Sequence, residues 1–252
     1  MKFLNYILNG FSRVLSVDAE FLLDSTGTSP QRVLCLVFKD IQTGEIFRHW
    51  VDGKSHVPHF FDYESCLLVS FNAVAEHGVF LNLLHGLPKY MVDCFVENKC
   101  LYGPFISKNK TGLIDTCARY NIDTIGKEQK DNELDLILRR NQYDHKPFIY
   151  SLDEQQQILD YCQSDVEETA KLFISQMADI ENKNNLKTDK QFNQKLFEMT
   201  FRGYSQGCFA KIEKNGIPPD LKLVNDFRDY WPVVKDTIIT LSLIHISEPT
   251  RR

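Results

Sequence analysis

The sequence predicts an α/β fold. Short apolar runs of strand length occupy the N-terminal part of the chain, whereas helical periodicity prevails from Gly112 onward. Helical segments also lie between the predicted strands, the arrangement expected when helices cover a sheet. Apolar residues make up 43% and charged residues 25% of the 252 residues, which is ordinary for a globular protein and sufficient for one sizeable core.

The predicted strands are apolar runs bounded by turn-forming residues. Asp24–Gln31 is rich in Ser, Thr, Gly and Pro and predicts a turn, and Thr43-Gly44 predicts a tight turn between two strands. The alternation of apolar residues at the start of the chain predicts an edge strand there. In chain order, the predicted strands are Met1–Leu8, Val14–Phe21, Arg32–Lys39, Glu45–Val51, Leu67–Phe71 and Tyr90–Asp93.

The predicted helices lie between and after these strands. In the longest one, Ile158, Cys162 and Val166 recur at helical spacing, and Asp153 is expected to cap its first turn. The predicted helices are Asn72–Leu84, Phe95–Leu101, Leu134–Arg140, Leu152–Met177, Lys190–Glu213 and Leu221–Leu241, of which the last two flank a Gly216–Pro219 turn.

A polar stretch, Asp179–Asp189, marks a predicted domain boundary. We expect residues 1–180 to form the α/β domain and residues 181–241 to form the helical start of a second domain that this chain does not complete. Residues 242–252 do not continue the preceding pattern and resemble translated sequencing-adapter read-through. We therefore interpret them as a non-native tail on a fragment.

Cysteine content, hydropathy and charge limit the class of protein. Seven Cys, an odd number without a C-x-x-C pair, predict reduced thiols and neither a zinc site nor a disulfide framework. No apolar run is long enough to span a bilayer and Met1–Leu8 lacks the features of a signal peptide, so we expect a cytoplasmic protein without membrane contact. The net charge of −5 is weak evidence about nucleic-acid binding, because divalent metals reverse the local sign at a carboxylate site.

Four acidic residues stand out by their position on the predicted elements. Asp18 and Glu20 form a D-x-E motif at the end of a strand, where residues two apart point to the same face. Glu76 begins a helix that follows an apolar strand. Asp165 lies four residues after Tyr161 on the longest helix, and this spacing places phenol and carboxylate on one helical face.

Carboxylates in such a group suit phosphodiester hydrolysis. Two divalent ions roughly 3.5–4 Å apart activate water and stabilise the leaving oxygen. Mg²⁺ and Mn²⁺ prefer carboxylate oxygen among protein ligands. Carboxylates that converge without a metal repel each other, so we expect raised pKa values in the metal-free protein.

Each motif alone has a simpler explanation. A single D-x-E after a strand is usually solvated turn chemistry, and Glu76 alone is an ordinary first-turn acid that the helix dipole favours. Tyr161 and Asp165 alone are a surface pair on a helix. Chance becomes a poor explanation when all three motifs occur in order, each on the expected type of element.

That order resembles the DEDD superfamily of 3′→5′ exonucleases, in the branch with Tyr in the third motif. The first motif is VDAEF (Val17–Phe21), and the third is YCQSD (Tyr161–Asp165), which matches Y-x-x-x-D. The second, AVAEHGVFLNL (Ala73–Leu83), is similar to a variant in phage-type family A DNA polymerases, and its Glu76 stands where many relatives have Asp.

Further segments resemble the same polymerases. They are VDCFVENKCL (Val92–Leu101), the run Gly112–Asn141, and IEKNGIPPD (Ile212–Asp220), which is similar to the E-x-x-G-I-P-x-D turn near the start of their polymerase region. The resemblance extends from about Val14 to Thr240. It implies a proofreading 3′→5′ exonuclease with a ribonuclease H-like fold, a mixed five-stranded sheet flanked by helices.

The resemblance also implies residue roles. Asp18, Glu20, Glu76 and Asp165 would hold two divalent ions, Mg²⁺ or Mn²⁺, and Tyr161 would orient the attacking water. Its implied partners are a single-stranded or frayed DNA 3′ end and the polymerase domain of the parent chain, in a monomeric protein. The residues that would contact the 3′-terminal nucleotide are Phe21, Leu22 and Asn72. The sequence is equally consistent with core packing of Phe21 and Leu22 and with a turn-capping role for Asn72.

Other motifs give weaker hypotheses. Gly53-Lys54-Ser55 lacks the upstream Gly of a phosphate-binding loop, because Arg48 occupies that position. Three His residues lack metal-ligand spacing, and His77 is expected to be a solvated helix residue. Scattered basic residues are interpreted as ordinary surface, although the Lys residues could line a DNA path. The residues concerned are His77, His85, His145, Lys108, Lys110, Lys127, Lys130, Arg139 and Arg140.

Two alternatives to a DNA-proofreading exonuclease stay open at this point. One is a catalytically weak exonuclease-like domain that supports a polymerase or binds single-stranded DNA, which the Glu76 substitution allows. The other is an RNA-trimming exonuclease of the same superfamily, because the sequence does not show the sugar preference.

Overall fold

The computed structural model describes residues 1–23, 30–51, 62–83, 86–103, 111–138 and 149–247. Strands prevail in the first part of this range and helices in the second. In chain order they are α1 (Lys2–Gly10), β1 (Val14–Leu23), β2 (Pro30–Asp40), β3 (Ile46–Trp50), β4 (Leu67–Ser70), α2 (Val74–Leu83), β5 (Met91–Asp93), α3 (Cys94–Tyr102), α4 (Leu113–Arg119), α5 (Lys127–Leu138), α6 (Leu152–Lys183), α7 (Asp189–Asn215) and α8 (Leu221–Ser247).

Five of these elements form one mixed sheet in the order β3-β2-β1-β4-β5. Strand β2 is antiparallel to both of its neighbours, whereas β1, β4 and β5 pair in parallel. Helices lie against the sheet, so the predicted fold class, a mixed five-stranded sheet flanked by helices, is confirmed.

The alternation of side chains along β1 gives the sheet two buried faces. Leu15, Val17 and Ala19 pack with Val79 and Phe80 of α2 on one face. The residues between them point to α6 on the other face. There the Ser16 hydroxyl donates a hydrogen bond to the Val166 carbonyl oxygen at 2.9 Å, which fixes α6 against the centre of the sheet.

The N-terminal segment corrects one prediction. Met1–Leu8 was expected to be an edge strand, but Lys2–Gly10 forms a helix. Phe3 and Ile7 lie four residues apart and are both fully buried, which is the spacing of a helical face. Packing of this face against Phe192 and other core residues outweighs the local alternation that suggested a strand.

The start of α6 corrects a second prediction. Asp153 was expected to cap this helix, but Ser151 is the N-cap residue. The Ser151 hydroxyl accepts a hydrogen bond from the Glu154 backbone N–H at 3.3 Å, and the Glu154 carboxylate accepts one from the Ser151 N–H at 2.9 Å. This reciprocal pair is a capping box, and it leaves Asp153 as an ordinary acid in the first turn.

Other element bounds differ from the predicted ones without changing the topology. Helix α5 begins at Lys127 rather than Leu134, and α6 ends at Lys183 rather than Met177. The Thr43-Gly44 turn between β2 and β3 is present, and Gly44 has a φ of 78°, which favours glycine.

Helix α7 belongs to the same compact unit as the sheet, which spans Met1–Asn215. A Cβ atom at Gly203 would collide with the backbone carbonyl of Met91, so α7 lies directly against β5. The Arg202 guanidinium donates two hydrogen bonds of 2.7 Å to the buried Glu97 carboxylate on α3. The compact unit therefore continues past the boundary predicted after residue 180. That residues 181–241 begin a second domain in a longer protein stays a prediction.

A second unit begins at Gly216 and contains α8, which has Pro232 in its interior. The helix continues to Ser247, and residues 248–252 lie outside the described residues. The non-native origin of residues 242–252 stays a prediction. Within the described residues, no helix combines the length and the apolar character that crossing a membrane requires.

Several features named in the sequence lie outside the described residues. They are the turn segment 24–29, Gly53-Lys54-Ser55, His85, Lys108, Lys110, Arg139, Arg140 and His145; for Lys127 only the backbone is described.

Candidate active site

Strand β1 directs Asp18 and Glu20 to the face of the sheet that α6 covers. Pairing between β1 and β4 ends at Ser16, opposite Val69, so both acids lie beyond the point where β4 runs alongside. On the other side, the pairing with β2 shifts register between Glu20 and Phe21. Such a bulge increases the local twist and re-aims neighbouring side chains, and bulges are common next to active sites.

Helix α6 brings the third motif to the same place. Tyr161 and Asp165 lie one turn apart on the face that points to β1, and each is only 8% exposed. Between them, the Cys162 thiol lies 3.4 Å from the Asp18 Oδ2 atom. Potential ligand atoms of Asp18, Glu20 and Cys162 all lie within 4.8 Å of one another. The structure therefore brings the first motif next to the helix segment that carries the third.

Glu76 reaches the site from α2. The β4–α2 turn is fixed by Asp93, whose carboxylate accepts hydrogen bonds from the backbone N–H groups of Asn72 and Ala73, both at 3.0 Å. The same carboxylate accepts a hydrogen bond from the Phe95 N–H at 2.9 Å and caps α3. Asp93 thereby sets the position from which Glu76 extends.

Glu76 is 2% exposed, and its Oε2 atom has no hydrogen-bond partner in the described part of the chain. A buried carboxylate oxygen without a partner is costly, and it suits a position where a cation is to be bound.

The carboxylates interact electrostatically as one group. Burial, followed by the charge of Asp165, raises the pKa of Asp18 from 3.8 to about 7. Burial and then the charge of Asp18 raise the pKa of Glu20 well above its ordinary value, and the same two causes raise the pKa of Glu76. Raised pKa values are thus present at Asp18, Glu20 and Glu76, with burial as the larger cause and mutual repulsion as the second.

Tyr161 faces the same charges. Burial is the main reason that its pKa is raised, and the charges of Asp165, Glu20 and Asp18 add to the effect. A hydrogen bond between the phenol and the Asp165 carboxylate contributes as well. The phenol therefore keeps its proton at neutral pH.

Lys130 of α5 enters the site and was not among the predicted site residues. Its Nζ atom lies 2.8 Å from Oδ2 and 3.1 Å from Oδ1 of Asp165. The charge of Lys130 lowers the pKa values of Asp18 and Glu20, against the larger effect of burial. The sequence alone suggested only a surface residue that could line a DNA path.

The residues predicted to contact a terminal nucleotide separate in the structure. Phe21 and Asn72 line a cavity of about 260 Å³. In the sequence, Phe21 directly follows Glu20, and Asn72 shortly precedes Glu76. Leu22 is 6% exposed and packs with Leu34 and Tyr161 in the core, so it does not line this cavity. Asn72 has a positive φ of 70°, as its position in the turn before α2 requires.

A second cavity, of about 460 Å³, opens beside Tyr161. Ile125, Gln129 and Ser164 are among the residues that line it. Of the residues predicted for the site, Tyr161 lines this larger cavity, and Phe21 and Asn72 line the smaller one.

His77 corrects a further prediction. It was expected to be solvated, but it is fully buried and its Nε2 atom lies 3.0 Å from the Gly203 carbonyl oxygen. Burial lowers its pKa from 6.5 to about 4. His77 is therefore neutral at physiological pH and contributes to the packing of α2 against α7.

The donor set fits a divalent cation. Oxygen atoms of carboxylates are the ligands that Mg²⁺ and Mn²⁺ prefer, and the Glu76 Oε2 atom, which has no partner among the described residues, is available to a cation. Asp18, Glu20, Glu76 and Asp165 would hold it.

Four neighbours of the site were missed by sequence reasoning. Asp93 and Glu168 are buried acids that accept hydrogen bonds from backbone N–H groups. Cys162 and Lys130 reach the carboxylates through tertiary contacts, which no local pattern in the sequence encodes. The one available signal was the position of Glu168 seven residues after Tyr161, because this spacing places both side chains on the same helical face.

Comparison with protein-family models and with curated proteins gave no match. Among solved structures, the chain is similar to the crystal structure of Escherichia coli RNase D, an exoribonuclease involved in structured RNA processing. The TM-score is 0.43 and the sequence identity 14%, over 76% of this chain and 45% of that one. This chain thus spans less than half of that structure, and a likeness of this size carries no information about its substrate.

Proposed function

We propose that the protein is a metal-dependent 3′→5′ exonuclease that removes nucleotides from DNA 3′ ends. The observation that carries this proposal is that Asp18 and Glu20 of β1 and Cys162 of α6 have potential ligand atoms within 4.8 Å of one another. Asp165 of α6 and Glu76 of α2 are near enough to interact electrostatically with Asp18. Carboxylates from three separate elements thus lie near one another. Among the described residues, they outnumber the cationic side chains that lower their pKa values, of which Lys130 is the one at Asp18 and Glu20.

The carboxylates bind divalent cations in this proposal. Two such ions activate a water molecule and stabilise the leaving oxygen of the phosphodiester when they are bound. Glu76 contributes its otherwise unpaired oxygen, and Asp18 and Glu20 contribute adjacent carboxylates from one strand face.

Tyr161 orients the attacking water. Because its pKa is raised by burial and by the neighbouring carboxylates, the phenol cannot serve as a base near neutral pH. It can donate and accept hydrogen bonds while it stays protonated. Its place one helical turn from Asp165 keeps this phenol at the carboxylate group.

The cavity lined by Phe21 and Asn72 would take the terminal nucleotide. The cavity has a volume of about 260 Å³, and its lining residue Phe21 directly follows Glu20 in β1, which supports this role. Leu22 is excluded from it by its burial in the core. The 3′ end would have to be single-stranded or frayed to enter.

The larger context of a proofreading domain rests on the sequence. The E-x-x-G-I-P-x-D turn in Ile212–Asp220 resembles the start of a phage-type family A polymerase region. We propose on this ground that the α/β unit, predicted over residues 1–180 and completed by α7, is the exonuclease domain of a monomeric DNA polymerase, with the polymerase domain as its partner in the parent chain.

A nuclease assay on the full chain tests the proposal. A 5′-labelled single-stranded DNA should shorten from its 3′ end with Mg²⁺ or Mn²⁺, and EDTA should stop the reaction. Asp18→Asn should reduce cleavage by about 1000-fold or more, because it removes a metal ligand. The control Glu64→Gln alters a side chain that is 78% exposed and should leave cleavage unchanged.

Other outcomes identify the alternatives. DNA that is bound but not shortened with either metal would indicate a binding module. An RNA strand that is shortened much faster than DNA of the same sequence would indicate an RNA-trimming enzyme.

A further inference from the structure

Lys130 is a cation placed inside an acidic group. Its ammonium contacts both oxygens of Asp165, at 2.8 and 3.1 Å. The Lys130 and Asp165 side chains are only 26% and 12% exposed. A pair that is shielded from water to this degree is screened much less by salt than a surface ion pair.

The charge of Lys130 reaches the rest of the group. It counteracts burial at Asp18, Glu20 and Glu168 and lowers the pKa of each carboxyl. Its own pKa is lowered by burial, but the charge of Asp165 and the hydrogen bond to it outweigh that effect and raise it. Lys130 therefore stays charged and partly neutralises the carboxylates.

Tyr161 helps to hold this ammonium. The Lys130 Nζ atom lies 5.5 Å from the centre of the Tyr161 ring, within the range of a cation–π interaction. The ammonium thus has an aromatic ring and a carboxylate as neighbours, which explains how a Lys on a largely polar helix is kept at one position.

Two of the described apolar side chains of α5 attach it to the remainder of the unit. Ile137 is buried with Tyr161 and Cys162, and Leu136 packs against the same cluster, whereas Leu134 is 45% exposed. Glu133 accepts hydrogen bonds from the Gln157 side chain at 3.0 Å. The ion pair of Lys130 with Asp165 is consequently a substantial part of what fixes the first turns of α5 over α6.

A divalent cation and the Lys130 ammonium would repel each other at Asp165. The Asp165 oxygens that would bind the cation are the atoms that Lys130 now occupies, and two positive charges a few ångströms apart in a partly buried site are unfavourable. By thermodynamic linkage, each of them weakens the binding of the other by the same factor.

We propose that Lys130 is the resident counter-ion of this site: it holds Asp165 in the metal-free protein and competes with the divalent cation for that carboxylate. This inference rests on the proposed function, in which the carboxylates bind metal. It makes Lys130 a positioning residue that sets metal affinity, and it makes the attachment of α5 dependent on whether metal is bound.

Calorimetric titration of the metal-free full chain with Mn²⁺ tests the inference without relying on activity. Lys130→Met should bind Mn²⁺ about fivefold more tightly, or more, because the competing charge is gone. Lys187→Met removes a charge from an exposed side chain outside the site and should bind as the wild type does. Equal Mn²⁺ affinities of wild type and Lys130→Met would overturn the inference but leave the proposed function intact.

Absence of Mn²⁺ binding in every variant would overturn the proposed function and this inference together.

Thermal melting gives a second measurement. In EDTA, Lys130→Met should melt below the wild type, since Asp165 loses its partner, and saturating Mn²⁺ should remove this difference. If Lys130→Met does not fold, Lys130→Gln, which can still donate a hydrogen bond to Asp165, replaces it in both experiments. An Mn²⁺-independent difference in melting would show a purely structural ion pair and would contradict the competition.

Discussion

At the scale of single residues, Asp18 combines two unfavourable conditions. It is partly buried, and it faces the carboxylates of Asp165 and Glu20. Both conditions disfavour its charged form, which raises its pKa from 3.8 to about 7. The metal-free site therefore costs folding stability at neutral pH, as expected where residues are arranged for binding rather than for stability.

The sign of the resulting pH dependence follows from proton linkage. Between about pH 4 and pH 7 the folded protein retains a proton on Asp18 that the unfolded chain has lost, so the unfolding free energy falls as pH rises through this window. In EDTA, we expect the unfolding free energy to decrease by roughly 1–3 kcal/mol across this window. Thermal or urea unfolding at several pH values measures this decrease. Asp18→Asn should flatten this decrease and be more stable than the wild type at pH 7. A wild-type profile that rises across this window would contradict the argument.

At the scale of helices and strands, the contact of α7 with β5 depends on a glycine. Gly203 has no side chain, and its backbone carbonyl oxygen lies 3.0 Å from His77 Nε2 while its Cα faces the Met91 carbonyl. Nearby, Gly207 lies against Leu87. Gly203 thus allows α7 to approach the sheet closely, and Gly207, one helical turn later, leaves room for the Leu87 side chain.

Substitution of this glycine should separate the two elements. Gly203→Ala would place a methyl group against backbone, which cannot move aside as a flexible side chain can. We expect a loss of about 3 kcal/mol or more in the unfolding free energy, measured by urea denaturation. Gly10→Ala serves as the matched control, because a Cβ atom there meets no atom within 4 Å. Similar stabilities of the two variants would refute the close packing of α7.

The same scale shows what the sequence could predict. Asp18 with Glu20, and Tyr161 with Asp165, lie on single elements whose periodicity fixes the shared face, so their direction was predictable. The contact of Lys130 with Asp165 joins residues 35 positions apart on different helices, and no local pattern encodes it. The N-terminal helix was missed for a related reason, because its burial depends on α7 at the other end of the unit.

At the scale of the whole molecule, the sheet and α7 share one core. Met199 and Phe192 of α7 are buried with Val69 and Val92 of the sheet. The ion pair between the buried Glu97 and the partly exposed Arg202 adds a polar contact between α3 and α7. A domain boundary drawn from polar composition alone therefore divides a continuous hydrophobic core.

Fragments that end at different residues test this point. A fragment of residues 1–215 should unfold cooperatively, because it contains the whole compact unit. A fragment of residues 1–180 would lack α7, expose the core around Val92 and leave Glu97 without its cation, so we expect it to aggregate or to lack a cooperative transition. Circular dichroism during heating distinguishes the two, and equal melting temperatures would show that α7 is dispensable.

The stacking of Phe3 on Phe192, with ring centres 5.5 Å apart, has a consequence for biosynthesis. At about 5–20 residues per second, a ribosome needs roughly 10–40 s to proceed from the first of these rings to the second. During this interval the apolar face of α1 lacks the partner that completes its burial. The nascent chain thus offers a chaperone a short apolar helix until α7 has left the exit tunnel.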